Sequence, residues 1–132
     1  TVPGIDGQKM SKSYGNTIPL FSSDEEIEKA VMSIVTDSSG DVPTNVYAIH
    51  KLLKTEEELA PVYEANKGKY KALKEALIAD LKAFVGPLRA RREAILANPT
   101  LVKETLEMGA KRAREVAEKK LEEAKVAIGV LS

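Results

Sequence analysis

The stretch "SSDEEIEKAVMSIVTD", residues 22–37, decides the fold. Its apolar residues recur at helical intervals, and three acidic residues in its first turn suit the positive end of a helix dipole. Ser22 and Ser23 each stand three residues before a glutamate, which is the spacing of a capping box. The stretch therefore predicts an α-helix over about residues 24–36, and the chain behind it repeats the same kind of pattern.

The downstream helices are predicted from periodicity and from capping residues. Thr55 and Glu58 form a second capping-box pattern, and Pro61 inside that helix predicts a kink or a later start. Gly109 interrupts the last apolar pattern at a cost of about 1 kcal/mol relative to alanine, so a break is expected there. The expected helices lie near residues 46–53, 55–67, 70–85 (stopped by Gly86-Pro87), 88–97 (ended by Asn98-Pro99), and on the two sides of Gly109 within 99–128.

These patterns predict an all-α protein, with a helical bundle at residues 22–132. Residues 1–21 contain three glycines and two prolines without sustained periodicity, and are expected to form a long glycine-rich loop. The Leu and Ala stripes of the helices are expected to be core.

Composition excludes several classes of protein. With no cysteine, the chain has neither disulfides nor thiolate metal sites, and no apolar run approaches the roughly 20 residues needed to cross a bilayer. A cytoplasmic setting is therefore the default expectation. The net charge is zero, but residues 1–64 carry 5 basic and 11 acidic side chains, whereas residues 65–132 carry 15 basic and 9 acidic ones. The basic half either meets an anionic partner or is simply a set of solvated lysine-rich helix faces.

Most of the functional signal lies in "GQKMSKSYGN", Gly7–Asn16. Lys9 and Lys12 are long, compact charges suited to phosphate oxygens, and Ser11 and Ser13 add hydroxyl donors. Glycines let the backbone approach a ligand closely. A polyphosphate whose charge grows as a bond breaks would fit this set. The alternative is a surface loop with incidental lysines. A Walker A loop is excluded, because its G-x-x-x-x-G-K-[ST] pattern is absent.

The order of residues resembles that of a known family. "KMSKS", Lys9–Ser13, matches the signature loop of the class I aminoacyl-tRNA synthetases. Together with "DGQKMSKSYGNTIPLF", "EEIEKAVMSIVTD", "GPLRARREAI" and "LEMGAKRAREVAEKKLEEAKVAIG", it resembles the bacterial-type tryptophanyl-tRNA synthetases along nearly the whole chain. The related tyrosyl enzymes share the loop less faithfully.

The resemblance implies an activity and roles for loop residues. The family activates tryptophan with ATP and Mg²⁺ and transfers it to its tRNA, as a homodimer in the cytoplasm. Lys12 matches the catalytic lysine that steadies the departing pyrophosphate, and Met10 is expected to anchor the loop. No metal ligand is expected among the residues of this chain. The ATP-binding residues implied are Lys9, Met10, Ser11, Lys12 and Ser13.

The chain departs from the family's pattern in one respect. The family also carries an H-x-G-H-type motif in a nucleotide-binding fold, but the one histidine here, His50, lacks that context. We expect residues 1–21 to be a loop and linker continuing from that fold, and residues 22–132 to be the anticodon-binding domain. On this expectation the fragment alone is inactive, and His50 has a packing or surface role.

The arginines and lysines of the C-terminal half are the candidates for tRNA contact. Arginine suits RNA because its planar group stacks on bases and binds phosphate. For the first arginines the alternative is an ion pair with a neighbour such as Glu93. A free-standing helical module that binds tRNA or protein without catalysis is the alternative function. The candidates are Arg89, Arg92, Lys111, Arg112 and Arg114.

Overall fold

The computed structural model describes residues 1–36 and 40–130. In these ranges the protein is all-α, as predicted, and has no strand. None of the helices in the described ranges is long and apolar enough to cross a membrane. The five α-helices are α1 (Asp24–Met32), α2 (Thr44–His50), α3 (Glu56–Ala65), α4 (Tyr70–Leu96) and α5 (Pro99–Ala127).

Capping side chains begin three of these helices where the sequence predicts them. Ser23 caps α1 and Thr55 caps α3, and in both boxes the glutamate side chain accepts a hydrogen bond from the backbone amide of the cap residue. The Asn98 side chain accepts from the Leu101 amide at 3.3 Å, with Pro99 as the first residue of α5. Such caps satisfy backbone amides that have no partner inside the helix.

Helix α1 ends at Met32, four residues before its predicted end. The backbone beyond it turns away because Val35 N donates to Ile5 O at 2.9 Å, which pairs the segment with the N-terminal loop. The buried Lys74 ammonium donates to Met32 O at 2.9 Å and to Ile34 O at 2.8 Å. A side chain from α4 thus satisfies two of the carbonyls left open where α1 ends.

Helix α4 continues through Gly86-Pro87, so the predicted stop there and a separate helix over 88–97 are both wrong. The residue before a proline is disfavoured in a helix mainly because its Cβ and N–H meet the proline ring. Gly86 has no Cβ, so much of that clash is absent. Helix α3 likewise includes Pro61 and begins at Glu56, which excludes the later start.

Helix α5 continues through Gly109, so the predicted break is also wrong. A Cβ built on Gly109 would meet no atom within 4 Å, and its backbone φ is not positive. The conformational cost of one glycine is about 1 kcal/mol, which a helix of 29 residues tolerates.

The chain divides into two compact units, Thr1–Arg89 and Ala90–Ser132. The first contains the hydrophobic core, and most of its apolar stripe residues are buried as predicted, whereas Leu52 and Phe84 are each 53% exposed. The main cluster consists of Ile27, Val31, Ile34, Val46, Ile49, Leu77, Ile78, Leu81 and Val85, and a smaller one of Leu59, Tyr63 and Leu73.

The apolar stripe of α5 is exposed, which contradicts the expectation that every such stripe is core. Leu106 and Val116 are each 67% exposed, and none of the residues of α5 is buried. Within its own unit α5 faces only the last residues of α4, so the unit has too little surface to bury a helix of this length.

His50 is fully buried, as a packing role requires. Its Nδ1 lies 3.1 Å from the Tyr63 hydroxyl and its Nε2 lies 2.8 Å from Asp80 Oδ2. Lys54 Nζ approaches the other Asp80 oxygen at 2.7 Å. Burial raises the pKa of Asp80, but hydrogen bonds from Lys54 and His50 outweigh that and hold the pKa below its usual value. The network joins α2, α3 and α4.

Candidate functional site

The lysine loop, residues 1–21, has an ordered base. Pro3 and Lys9 form an isolated antiparallel bridge. Gly4 N donates to Gln8 O at 2.6 Å, and Met10 N donates to Val2 O at 2.8 Å. These bonds place the two ends of residues 2–10 side by side, so the first two residues of "KMSKS" lie in a tight backbone pairing and the rest of it follows.

A single 3₁₀ turn, Lys12–Tyr14, forms the exposed part of the loop. Tyr14 N donates to Ser11 O, and Gly15 N donates to Lys12 O, both at 3.2 Å. Gly15 has φ +66°, in the left-handed region that glycine adopts without a side-chain clash. The turn therefore has a defined backbone.

The two lysines and Ser13 of the loop are open to solvent, and Ser11 is partly exposed. The Ser11 and Ser13 hydroxyls lie 2.8 Å apart, and Lys9 and Lys12 are exposed. Within the described ranges neither lysine ammonium group has an ion-pair or hydrogen-bonding partner, unlike those of Lys74 and Lys82. Two ammonium groups beside a hydroxyl pair can receive an anion such as a phosphate. Met10, the expected anchor, is partly buried.

Three residues organise the loop: Asn16, Gly4 and Gly7. The glycines were expected to let the backbone approach a ligand closely, whereas Asn16 was not singled out from the sequence. The buried Asn16 holds the loop backbone, and the Asn16 hydrogen bond lowers the pKa of Asp6 below its ordinary value. Gly7 has φ +80°, and a Cβ there would lie 2.5 Å from Asn45 Oδ1. The one available signal was composition, because an Asn in a glycine-containing loop tends to bond nearby backbone.

The tRNA-contact candidates have different surroundings. Arg89 donates to Asp24 of α1 and lowers the Asp24 pKa, which is the ion-pair alternative with Asp24 in place of Glu93. Arg92 also has a partner. Lys111, Arg112 and Arg114 are exposed in the middle of α5, and not near the start of a helix, where the predicted break at Gly109 would have placed them. Their contact with tRNA stays a prediction.

A family comparison covers this loop and most of the chain. The family model described as "tRNA synthetases class I (W and Y)" matches residues 1–101. The chain belongs to this family. The predicted resemblance to class I synthetases is therefore confirmed, and the matched residues include the loop just described.

The relatives point to the tryptophan branch. The tryptophan–tRNA ligase of Fusobacterium nucleatum is 37% identical over 98% of this chain and 42% of its own length. That of Rhodopirellula baltica is 39% identical over 88% of this chain and 39% of its own. The crystal structure of the Campylobacter jejuni tryptophanyl-tRNA synthetase with ADP and tryptophan matches with a TM-score of 0.84 at 34% identity, covering 97% of this chain and 43% of that one. The chain thus spans about two fifths of the length of these relatives.

Proposed function

We propose that the chain contributes the phosphate-binding loop and the tRNA-binding helices of a tryptophan–tRNA ligase. Residues 1–21 would be the catalytic loop and linker, and residues 22–132 the anticodon-binding domain. The observation that carries the proposal is the pair of exposed lysines, Lys9 and Lys12, which have no partner among the described residues and lie in a loop of defined backbone in a chain of the class I synthetase family.

The reaction explains why the loop needs two free cations. When the tryptophan carboxylate attacks the α-phosphate of ATP, the α–β phosphoanhydride bond breaks and negative charge accumulates on the departing pyrophosphate. An ammonium group that meets this charge stabilises the transition state more than the bound substrate. We assign that role to Lys12 and a supporting phosphate contact to Lys9, while Ser11 and Ser13 donate to phosphate oxygens.

Two further parts of the proposal concern metal and assembly. ATP is the expected substrate and Mg²⁺ its expected ion. In the described ranges no cluster of three or more His, Cys, Asp or Glu side chains is present to hold a metal ion. The loop's donors do not fit Mg²⁺, so no step is assigned to it. The proposal includes the homodimeric assembly and cytoplasmic location expected of the family, and holds that the chain alone does not activate tryptophan.

The test replaces Lys12 in the full-length protein. Lys12→Ala should lower the rate of tryptophan-dependent pyrophosphate exchange by about 100-fold or more, with little change in tryptophan affinity, because the contact forms only as the bond breaks. Lys71→Ala, which removes an exposed lysine of α4, is the control and should leave both values unchanged. Equal losses in rate and affinity would contradict the transition-state role. No exchange by the unaltered protein would favour a binding module instead.

The tRNA part has its own test. Replacing Lys111, Arg112 and Arg114 by alanine should weaken tRNA binding by roughly 10-fold or more and lower the slope of log affinity against log salt by about 2–3, because fewer counterions are released. A matched variant replaces three exposed basic residues elsewhere in the chain by alanine: Lys67, Lys69 and Lys71. Equal losses from both variants would indicate only a general effect of net charge.

A further inference from the structure

Asn16 is a buried polar residue next to the most exposed part of the lysine loop. It is 2% exposed, whereas Lys12 to Gly15 all lie in solvent. A buried carboxamide costs free energy unless its donors and acceptor are paired. Its partners therefore indicate what it holds in place.

The Asn16 carboxamide joins three points of the loop. Its Oδ1 accepts from Ser11 N at 2.8 Å. Its Nδ2 donates to Lys9 O at 3.1 Å and to Asp6 Oδ1 at 2.8 Å. Both amide hydrogens and the carbonyl oxygen are thus used, two of them on the backbone flanking Met10.

Steric fit around Asn16 is close. A Cβ built on Gly4 would lie 2.4 Å from Asn16 Nδ2 and 2.8 Å from Asn16 O, so a side chain at position 4 would displace the carboxamide. The glycine and the asparagine are therefore one packed feature.

The same feature is tied to the helices. Ile5 N donates to Asn16 O at 3.0 Å, and Ile5 O accepts from Val35 N at 2.9 Å. Asn45 Nδ2 in turn donates to Val35 O at 2.9 Å. Hydrogen bonds thus run from the backbone of Asn16 through Ile5 to the segment that follows α1 and on to α2.

We propose that Asn16 is a positioning residue for phosphate contact, an inference that rests on the function proposed above. By holding the backbone at Lys9 and Ser11, it fixes the start of the turn that presents Lys12. Without the Asn16 side chain, Ser11 N and Lys9 O lose the partner that they share. Both atoms belong to the segment between Gly7 and Gly15, two glycines with left-handed backbone conformations. Lys12 then samples many positions, and misplacing a reacting contact by about 1 Å can cost on the order of 100-fold in rate.

The test uses a double-mutant cycle in the full-length protein. Asn16→Ala should lower the turnover rate of pyrophosphate exchange by about 10- to 100-fold with tryptophan KM nearly unchanged. In a Lys12→Ala background the same change should cost about 3-fold or less, because the lysine that it positions is already gone. Asn16→Asp keeps the size of the side chain and removes both amide donors, so it should lower the rate of pyrophosphate exchange as much as Asn16→Ala does. It tests the role even if the alanine variant folds poorly. Asn66→Ala removes a carboxamide that binds Val62 O on α3, and should leave the rate unchanged.

Each result decides between the two proposals. Losses that are equal in both backgrounds, or a full rate in Asn16→Asp, would overturn the positioning role while the proposed function stands. No exchange by the unaltered protein would overturn the proposed function and this role with it. A second readout is amide hydrogen exchange at residues 9–12, which should quicken in Asn16→Ala while α4 is unaffected. Unchanged exchange there would also overturn the role.

Discussion

The two compact units use similar apolar periodicity with opposite outcomes. In the first, Leu77 of α4 is fully buried among residues from α1 and α2. In the second, Leu121 of α5 is 55% exposed. A helical stripe becomes core only when other elements cover it, because the free energy comes from apolar area removed from water. Periodicity therefore predicts a helix, whereas burial depends on its neighbours.

The largest effect should come from paired truncations in the two stripes. Leu77→Ala should lower the free energy of unfolding by about 2–5 kcal/mol, because it leaves a cavity in packed surroundings. Leu121→Ala should change it by about 0.5 kcal/mol or less. Urea unfolding followed by circular dichroism measures both. A loss of 2 kcal/mol or more for Leu121→Ala would mean that the α5 stripe is covered in solution.

A smaller effect should separate a buried polar network from a surface ion pair. Asp80→Ala removes the partner of the buried His50 and should cost about 1–3 kcal/mol, because a buried ring nitrogen is left unpaired. Glu123→Ala, which removes an exposed partner of Lys120 on α5, should cost about 0–0.5 kcal/mol. Equal costs would contradict the difference in burial.

Acid should abolish the Asp80 contribution. The folded-state pKa of Asp80 lies below its ordinary value, so its ionised form stabilises the protein above that ordinary value and the contribution is lost as the pH falls through the folded-state pKa. The gap in stability between the unaltered protein and Asp80→Ala should therefore narrow below about pH 4. A gap that widened on acidification would contradict the sign.

The smallest effect compares two glycines that differ in backbone alone. A Cβ on Gly15 or Gly109 would meet no atom within 4 Å, but Gly15 has φ +66° and Gly109 lies in a regular helix. Gly15→Ala should destabilise by about 1–2 kcal/mol and Gly109→Ala should stabilise by about 1 kcal/mol. Thermal unfolding of both variants measures the sign. Destabilisation by Gly109→Ala would indicate that α5 does break there.

Local chemistry explains which parts of the fold could be predicted from sequence. Ser23, Thr55 and Asn98 cap helices through contacts within three residues, so their spacing is visible in the sequence. Gly86-Pro87 and Gly109 predict breaks because each has a local cost to a helix. The absent Cβ of Gly86 removes much of the first cost, and the length of α5 lets that helix tolerate the second.

The candidate site divides in the same way. Lys9 and Lys12 could be chosen from the sequence because their order matches a family signature. Asn45 and Val35 could not, because they contact the loop across 38 and 30 residues respectively, from Gly7 and from Ile5. Such contacts follow no repeating spacing along the chain.

The hidden amine of Lys74 makes it a natural reporter of opening. Acylating reagents need an accessible, neutral amine. The Lys74 amine is protected because it is 9% exposed and donates to two carbonyls, although burial lowers its pKa and so favours the neutral form. Surface lysines should be modified first, and Lys74 only when the segment after α1 detaches. The rate at which Lys74 is acylated, followed by mass spectrometry, would then report how often the lysine loop detaches from the helices.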